Sequence, residues 1–218
     1  LGAAMAYAEL LRDGIGSDDV SRRDSFLRSI EQLLRAALNT VSDLLDVARP
    51  ESTAPELHRT TADLAELTTS VAEGFRAKAE AAGLALDVHV TRGRSPIVTD
   101  EARVGRILEN LLSNAVKLTP AGGHVAVSLE RDGGRYVISV ADTGPGVPDA
   151  LRERVFDEYY RVPGQTVPGA GIGLAISRKM ARLLGGDITL RHRNGGGSIF
   201  DVELPADDLA VARSVRVV

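Results

Sequence analysis

The chain of 218 residues has no cysteine and no tryptophan, only four Phe and four Tyr, and just three lysines (Lys78, Lys117 and Lys179) among its 26 cationic residues. Without cysteine there is no disulfide framework, no thiolate zinc site and no cysteine nucleophile, which suits a reducing compartment. No apolar run approaches the roughly 18 residues that a spanning helix requires, so no membrane segment is expected. Nothing at Leu1 resembles a signal peptide. A net charge of -4 supplies no basic face for a polyanion, which argues against nucleic acid as a partner. What is present, 44% apolar and 26% charged residues, is the composition of a soluble globular protein. The length fits one full domain with a smaller appendage.

The appendage is expected at residues 1–49. From Phe26, the positions Ile30, Leu33, Ala37, Thr40, Leu44 and Val47 step by four and three, a heptad seam. A second stripe through Leu27, Leu34, Leu38, Val41 and Leu45 widens that face into one that wants a bundle. A shorter helix (Leu1, Ala4, Ala8, Leu11, Ile15) precedes it, and Asp13-Gly14-Ile15-Gly16-Ser17 turns between them. So unequal a hairpin buries its seam poorly. Either a second chain completes it, or its first helix continues upstream of Leu1. Residues 50–60, with Pro50 and Pro55, read as a linker.

Residues 61–206 change pattern. A helix is expected near Asp63 to Ala82, then a strand with alternating Leu84, Leu86, Val88 and Val90. Asp100 to Lys117 is helical, with Val104, Ile107, Leu108, Leu111, Leu112 and Ala115 on one side. Val125, Val127 and Leu129 alternate, Asp132-Gly133-Gly134 turns, and Tyr136 to Ala141 returns as a more fully buried strand. Gly171 to Leu184 reads as a helix, followed by a hairpin of Asp187–Arg193 and Ser198–Leu204 around Asn194-Gly195-Gly196-Gly197. Helices mixed with hairpins predict an α+β sandwich, helices on one face of a mixed sheet. Residues 207–218 read as a tail.

Three stretches bear on chemistry. In Asp142-Thr143-Gly144-Pro145-Gly146 a carboxylate closes a strand beside glycines that permit close backbone approach, as either a plain turn or a ligand contact. Gly169-Ala170-Gly171-Ile172-Gly173-Leu174 opens a helix, where unpaired N–H groups form a general phosphate cradle. It is not a dinucleotide fingerprint, since Leu174 stands where a third glycine would be needed, and no glycine precedes a lysine, which excludes a P-loop. In Asn110-Leu111-Leu112-Ser113-Asn114-Ala115-Val116-Lys117, Asn110, Asn114 and Lys117 share one side of a helix whose neighbouring faces are apolar. Two amides and an amine there are either satisfied by backbone carbonyls and water, or built for a hard cation and a phosphate.

Together these stretches resemble the ATP-binding domain of sensor histidine kinases, in the wider GHKL ATPase class. Asn110–Lys117 is similar to the N-box and Asp142–Gly146 to the first glycine box. Phe156-Asp157-Glu158-Tyr159-Tyr160-Arg161 resembles the F-box, and Gly169–Leu174 the second glycine box. The ordered set is specific where each motif alone is modest. Residues 1–49 resemble the family's dimerisation and phosphotransfer hairpin, which implies a homodimeric four-helix bundle. The resemblance implies a protein histidine kinase that binds ATP and Mg2+, passes the γ-phosphoryl to a histidine and then to the Asp of a response regulator receiver domain. It further implies a cytoplasmic location, alone or as the cytoplasmic part of a larger, membrane-bound sensor.

Position by position, the resemblance implies Mg2+ on Asn114 with Asn110 beside it, phosphates on Lys117 and Arg161, and the adenine amino group on Asp142. Gly144 and Gly146 would admit the base, Gly169, Gly171 and Gly173 would let the lid swing, and Leu174 would line the nucleotide. A helix terminus contributes about 0.3 to 1 kcal/mol against roughly 1.5 to 3 for a charge-assisted hydrogen bond, so the cations outweigh it. Three positions depart from the family pattern: Leu118 where an aromatic is usual, Ala170 for Thr or Ser, and Tyr159 for Phe. Val162 to Pro168 forms a short, Pro-bounded lid.

The hairpin region contains no histidine. His58 falls near the linker and His89, His124 and His192 in or beside strands. The phosphoacceptor is therefore expected six residues upstream of Leu1, since Leu1-Gly2-Ala3-Ala4 resembles the stretch immediately after the family's H-box. Hydrolytic family members carry a Glu four residues before the magnesium-binding Asn. Here that position is Asn110, and Glu109 projects about 100° away, so transfer is favoured over hydrolysis. A hydrolytic GHKL ATPase and a non-catalytic kinase-like dimerisation scaffold are the alternatives.

Overall fold

The computed structural model describes residues 56–90, 93, 95–164 and 171–206, with Glu9, Leu27 and Ile30 singly. The expected hairpin (1–49), linker residues 50–55 and the tail (207–218) otherwise lie outside the described residues. The chain divides into two units between Ala54 and Pro55. In chain order the second unit is β1 (Thr60–Asp63), α1 (Leu64–Glu73), α2 (Arg76–Ala81), β2 (Ala85–Val90), β3 (Pro96–Thr99), α3 (Glu101–Leu118), β4 (His124–Asp132), β5 (Arg135–Asp142), single 3-10 turns at Asp149–Leu151 and Arg154–Phe156, α4 (Gly173–Leu183), β6 (Asp187–His192) and β7 (Ser198–Pro205).

The main sheet has the order β2-β4-β5-β7-β6. β2 and β4 are parallel and every other pair is antiparallel, so the sheet is mixed as expected. A parallel pair needs a long crossover, and the chain makes it through β3 and α3. Register aligns Leu129, Ile138, Val202 and Ile188 in one row and Val127, Val140 and Phe200 in the next. All are buried. With period-2 alternation they share one face, and the apolar sides of α1, α3 and α4 cover it. The opposite face is polar: Ser139 donates to Asp201 at 2.6 Å, and Arg191 pairs with the same carboxylate.

Helix α3 forms where the periodicity placed it. Val104, Ile107, Leu108, Leu111, Leu112 and Ala115 are at most 4% exposed. Asp100 caps it, accepting from Arg103 N at 3.2 Å, and also receives His58 N at 3.1 Å, so the chain entering the domain is tied to the start of the helix. One expectation is corrected. The single helix over 63–82 is two, because Gly74 ends the first and the turn there sends Phe75 into the core. The strand at Tyr136–Ala141 is the more fully buried of its pair, as expected: its outer positions are half-buried where the end of β4 is exposed. A small sheet was not foreseen: β1 and β3 pair antiparallel, Thr60 opposite Thr99. Four residues each is too short for a period-2 signal.

One carboxylate locks α4 to the sheet. Asp187, opening β6, receives Arg178 Nε at 2.9 Å and Arg182 Nε at 3.2 Å. Burial opposes its charge, but Arg178, Arg182 and the Ile188 N–H outweigh this and bring its pKa down from 3.8 to about 2. The sign is that of a depressed acid: its stabilisation is complete above about pH 4 and is lost as pH falls toward 2. A third of the side chain is exposed, so solvent screening leaves about 1 kcal/mol. Urea midpoints of the parent chain and Asp187→Asn should therefore differ at pH 6 and converge near pH 2.

Candidate functional site

The polar side of α3 carries Asn110, Asn114 and Lys117, as its spacing predicts. Asn110 and Asn114 are half-buried and Lys117 is exposed, each about a turn from the next, beside the buried Leu111 and Ala115. Glu109 points elsewhere: it is exposed, and its charge acts on Arg106. Asn110 is anchored, with Nδ2 donating to Ser177 Oγ on α4 at 2.8 Å. At the start of α4, Gly173 lies so close that a Cβ would stand 2.6 Å from Asn110 Oδ1. The N-box helix and the last glycine of the second glycine box are thus packed directly together.

Asp142 closes β5 and is 6% exposed. Burial pushes its carboxyl above the ordinary range, against the opposing pull of the Gly144 and Ser198 backbone N–H groups and the Arg193 charge. The Gly144 bond measures 2.7 Å. Gly144 also touches α3: a Cβ there would lie 2.9 Å from Asp142 Oδ1 and 3.1 Å from the Leu118 carbonyl. Only glycine lets the strand end and the C-terminus of the asparagine helix meet at this point. Gly146, at φ 71°, faces the Gly197 carbonyl, 3.0 Å from where its Cβ would be. Thr143 fastens the loop to β4, with Oγ1 receiving His124 N at 2.8 Å.

Phe156 is an anchor in the core, edge-on to Phe200 with centroids 6.3 Å apart and covered by the Arg178 guanidinium at 4.6 Å. Tyr159 is the opposite, 63% exposed at φ 62° in the left-handed region. Its backbone meets Gly171, where a Cβ would come within 2.9 Å of Tyr159 C and Tyr160 O. The F-box and second glycine box therefore also touch. Arg161 is exposed just beyond, and Leu174 is half-buried in the first turn of α4. Gly169 and lid residues 165–168 fall outside the described residues.

Reading the residues alone missed Ser177, Gly197 and Ser198. The glycine run 195–197 does turn the β6–β7 hairpin as expected, but its last member also buttresses Asp142. Pairwise approach of segments 55 residues apart leaves no local signal. Among the described residues no cluster of three or more His, Cys, Asp or Glu is placed to hold a metal, and no helix is long and apolar enough to cross a membrane. A carboxylate cage is therefore not what this site offers a cation. A cation bound here would instead draw on amide, phosphate and water oxygens, a donor set that suits Mg2+.

Residues 99–208, holding all four motifs, match the family of histidine kinase-, DNA gyrase B- and HSP90-like ATPases. The chain is similar to the alginate biosynthesis sensor protein KinB of Pseudomonas aeruginosa, 29% identical over 204 residues, covering 94% of this chain and 34% of KinB. It spans about a third of that relative's length. Among solved structures it is similar to full-length ShkA in complex with AMPPNP, with TM-score 0.70 and 34% identity over 84% of this chain and 39% of that one. The histidine kinase ThkA, solved in complex with the response regulator protein TrrA, shares the fold at TM-score 0.65 and 23% identity, over 91% of this chain and 56% of that one. The asparagine helix, the buried strand-end carboxylate and the glycine contacts all lie within the matched span, and the chain belongs to the histidine kinase-, DNA gyrase B- and HSP90-like ATPase family, with the α+β catalytic-domain fold of the sensor histidine kinases.

Proposed function

We propose that the chain is the ATP-binding core of a sensor histidine kinase, which passes the γ-phosphoryl of ATP to a histidine presented to it and onward to a receiver-domain Asp. The supporting observation is the junction at Gly144, where the buried Asp142 acceptor and the end of the Asn110–Lys117 helix converge. Asp142 accepts the adenine amino group. A buried carboxylate that presents an acceptor to the base discriminates against bases offering no donor there. Asn114 holds Mg2+, while Lys117 and Arg161 hold phosphates, and the uncapped start of α4 contributes its N–H groups. Bound Mg2+ supplies charge neutralisation at the transferring phosphoryl.

The chain's part is positional. Transfer breaks the bond from Pγ to the bridging oxygen of ADP and forms one to the unprotonated imidazole nitrogen, while the other ring nitrogen gives up its proton to water. Orientation and charge carry such a step without a strong base. Asn110, bonded to Ser177, offers no carboxylate for activating water, and Glu109 is turned away, which supports transfer over hydrolysis. His58, His89, His124 and His192 lie in the entering segment or on strands. None stands on a motif of this site. Residues 1–49 are assigned to the dimerisation hairpin and 50–60 to its linker, with the homodimer and the receiver domain as partners.

Calorimetric titration tests the site. Asn114→Ala is expected to weaken Mg·ATP binding by about tenfold or more, while ADP without Mg2+ changes less than about twofold. Equal losses for both ligands would remove Asn114 from the metal role. Sustained phosphate release by this chain alone would favour the hydrolytic reading.

A further inference from the structure

Ser177 belongs to no motif, yet its placement is specific. It lies one turn after Gly173 on α4, so the two face the same way. It is 2% exposed, and its hydroxyl accepts the Asn110 Nδ2 proton at 2.8 Å. Gly173 closes the other side, its missing Cβ leaving space 2.6 Å from Oδ1 and 3.1 Å from Nδ2. The Asn110 amide is therefore held between two residues of a neighbouring helix.

A hydroxyl alone would accept or donate, and so would not fix which way the amide faces. The start of α4 favours one direction, and the hydroxyl holds the amide in it by accepting from its nitrogen. The first N–H groups of a helix have no intrahelical partner and carry partial positive charge. Here Ile172 supplies no capping side chain and the first turn has no acidic residue. Asn110 Oδ1 lies nearer than Nδ2 to the Cβ position of Gly173, the first residue of α4, while Nδ2 faces the Ser177 hydroxyl.

We propose that Ser177 is a positioning residue for the phosphate end of the nucleotide site, keeping the Asn110 oxygen rather than its nitrogen turned toward the start of α4. This inference rests on the kinase reading above. An amide oxygen there suits the water shell of a cation and disfavours a bare phosphate oxygen, where acceptor would meet acceptor. Without the Ser177 hydroxyl the amide loses its tether. A flipped amide donates to phosphate, which helps metal-free nucleotide and not the magnesium complex. Ser177 therefore tunes the preference for Mg·ATP over free ATP.

The test is the ratio of ATP affinities with Mg2+ and with EDTA, measured by calorimetry on the whole chain. Loss of one hydrogen bond sets the scale: Ser177→Ala should lower this ratio about 3- to 10-fold. Adding Asn110→Ala should lower it no further than Asn110→Ala alone. Because the ratio is taken within one variant, a loosened fold that weakens both affinities leaves it unmoved. In the free protein, the hydrogen-bonded Asn110 side-chain amide proton should shift upfield in Ser177→Ala. An unmoved ratio, an unmoved resonance, or two substitutions whose effects multiply would overturn the assignment while the kinase reading stands. A parent chain whose ATP binding ignores Mg2+ would overturn both.

Discussion

Asp142→Asn is expected to abolish selective adenine-nucleotide binding while leaving the protein folded. The replacement keeps an oxygen for the Gly144 N–H, now 2.7 Å from Oδ1. It exchanges the other carboxylate oxygen for an amide donor, which confronts the exocyclic amino group of adenine donor to donor. A buried polar mismatch of this kind costs a few kcal/mol, so ATP affinity should fall by roughly 10²-fold or more. Discrimination against GTP, whose base carries a carbonyl at the same place, should narrow or reverse. Parallel titrations of parent and variant with ATP and GTP decide it, and a variant that retains both affinity and selectivity would remove Asp142 from the base-binding role.

The same substitution has a stability signature with a definite sign. Burial raises the Asp142 pKa above its unfolded value, so the folded protein holds the proton more tightly than the unfolded chain does. The parent therefore loses stability as pH rises from about 4 through the raised value, and above that window the loss is complete. Asn does not titrate. Whatever it costs in hydrogen bonding is independent of pH, so the variant should gain on the parent in urea midpoint as pH rises above about 4. This gain requires no nucleotide, and so separates the electrostatics of the site from its recognition.

Much of this architecture is legible in residue order because it rests on repetition. Helix α3 announces itself through six core positions over 18 residues, and its polar side follows from the same period. Asp142 was legible as the last residue of an apolar run meeting two glycines. The undetected features have different physics. β1 and β3 are four residues each and pair across more than 30 positions, so tertiary contact and not local pattern stabilises them. The break at Gly74 depends on Phe75 finding a place in the core. The positive φ of Tyr159 occurs where its backbone meets Gly171, and the Asn110–Ser177 bond joins residues 67 apart. Motif resemblance singled out these stretches, but only the fold shows what holds each of them in place.

The glycine run 195–197 provides the sharpest separation of backbone strain from steric exclusion. Gly196 and Gly197 adopt nearly the same left-handed backbone, φ 100° and 102°, so an alanine pays a similar conformational penalty at either. Their surroundings differ completely. A Cβ on Gly196 meets nothing within 4 Å, whereas one on Gly197 would overlap the Asp142 carbonyl oxygen and come 2.8 Å from its carbon and 3.0 Å from Thr143 Cα. Gly196→Ala should therefore cost only the strain, about 1 to 2 kcal/mol. Gly197→Ala should cost about 1 to 3 kcal/mol more through forced displacement of packed backbone. It should also weaken ATP binding, because the Ser198 N–H held against Asp142 moves with the hairpin. Denaturation midpoints give the first comparison and ATP titration of the folded fractions the second. If the two alanines prove equally mild in both, the hairpin is only a turn, and Asp142 keeps its position without support from Gly197.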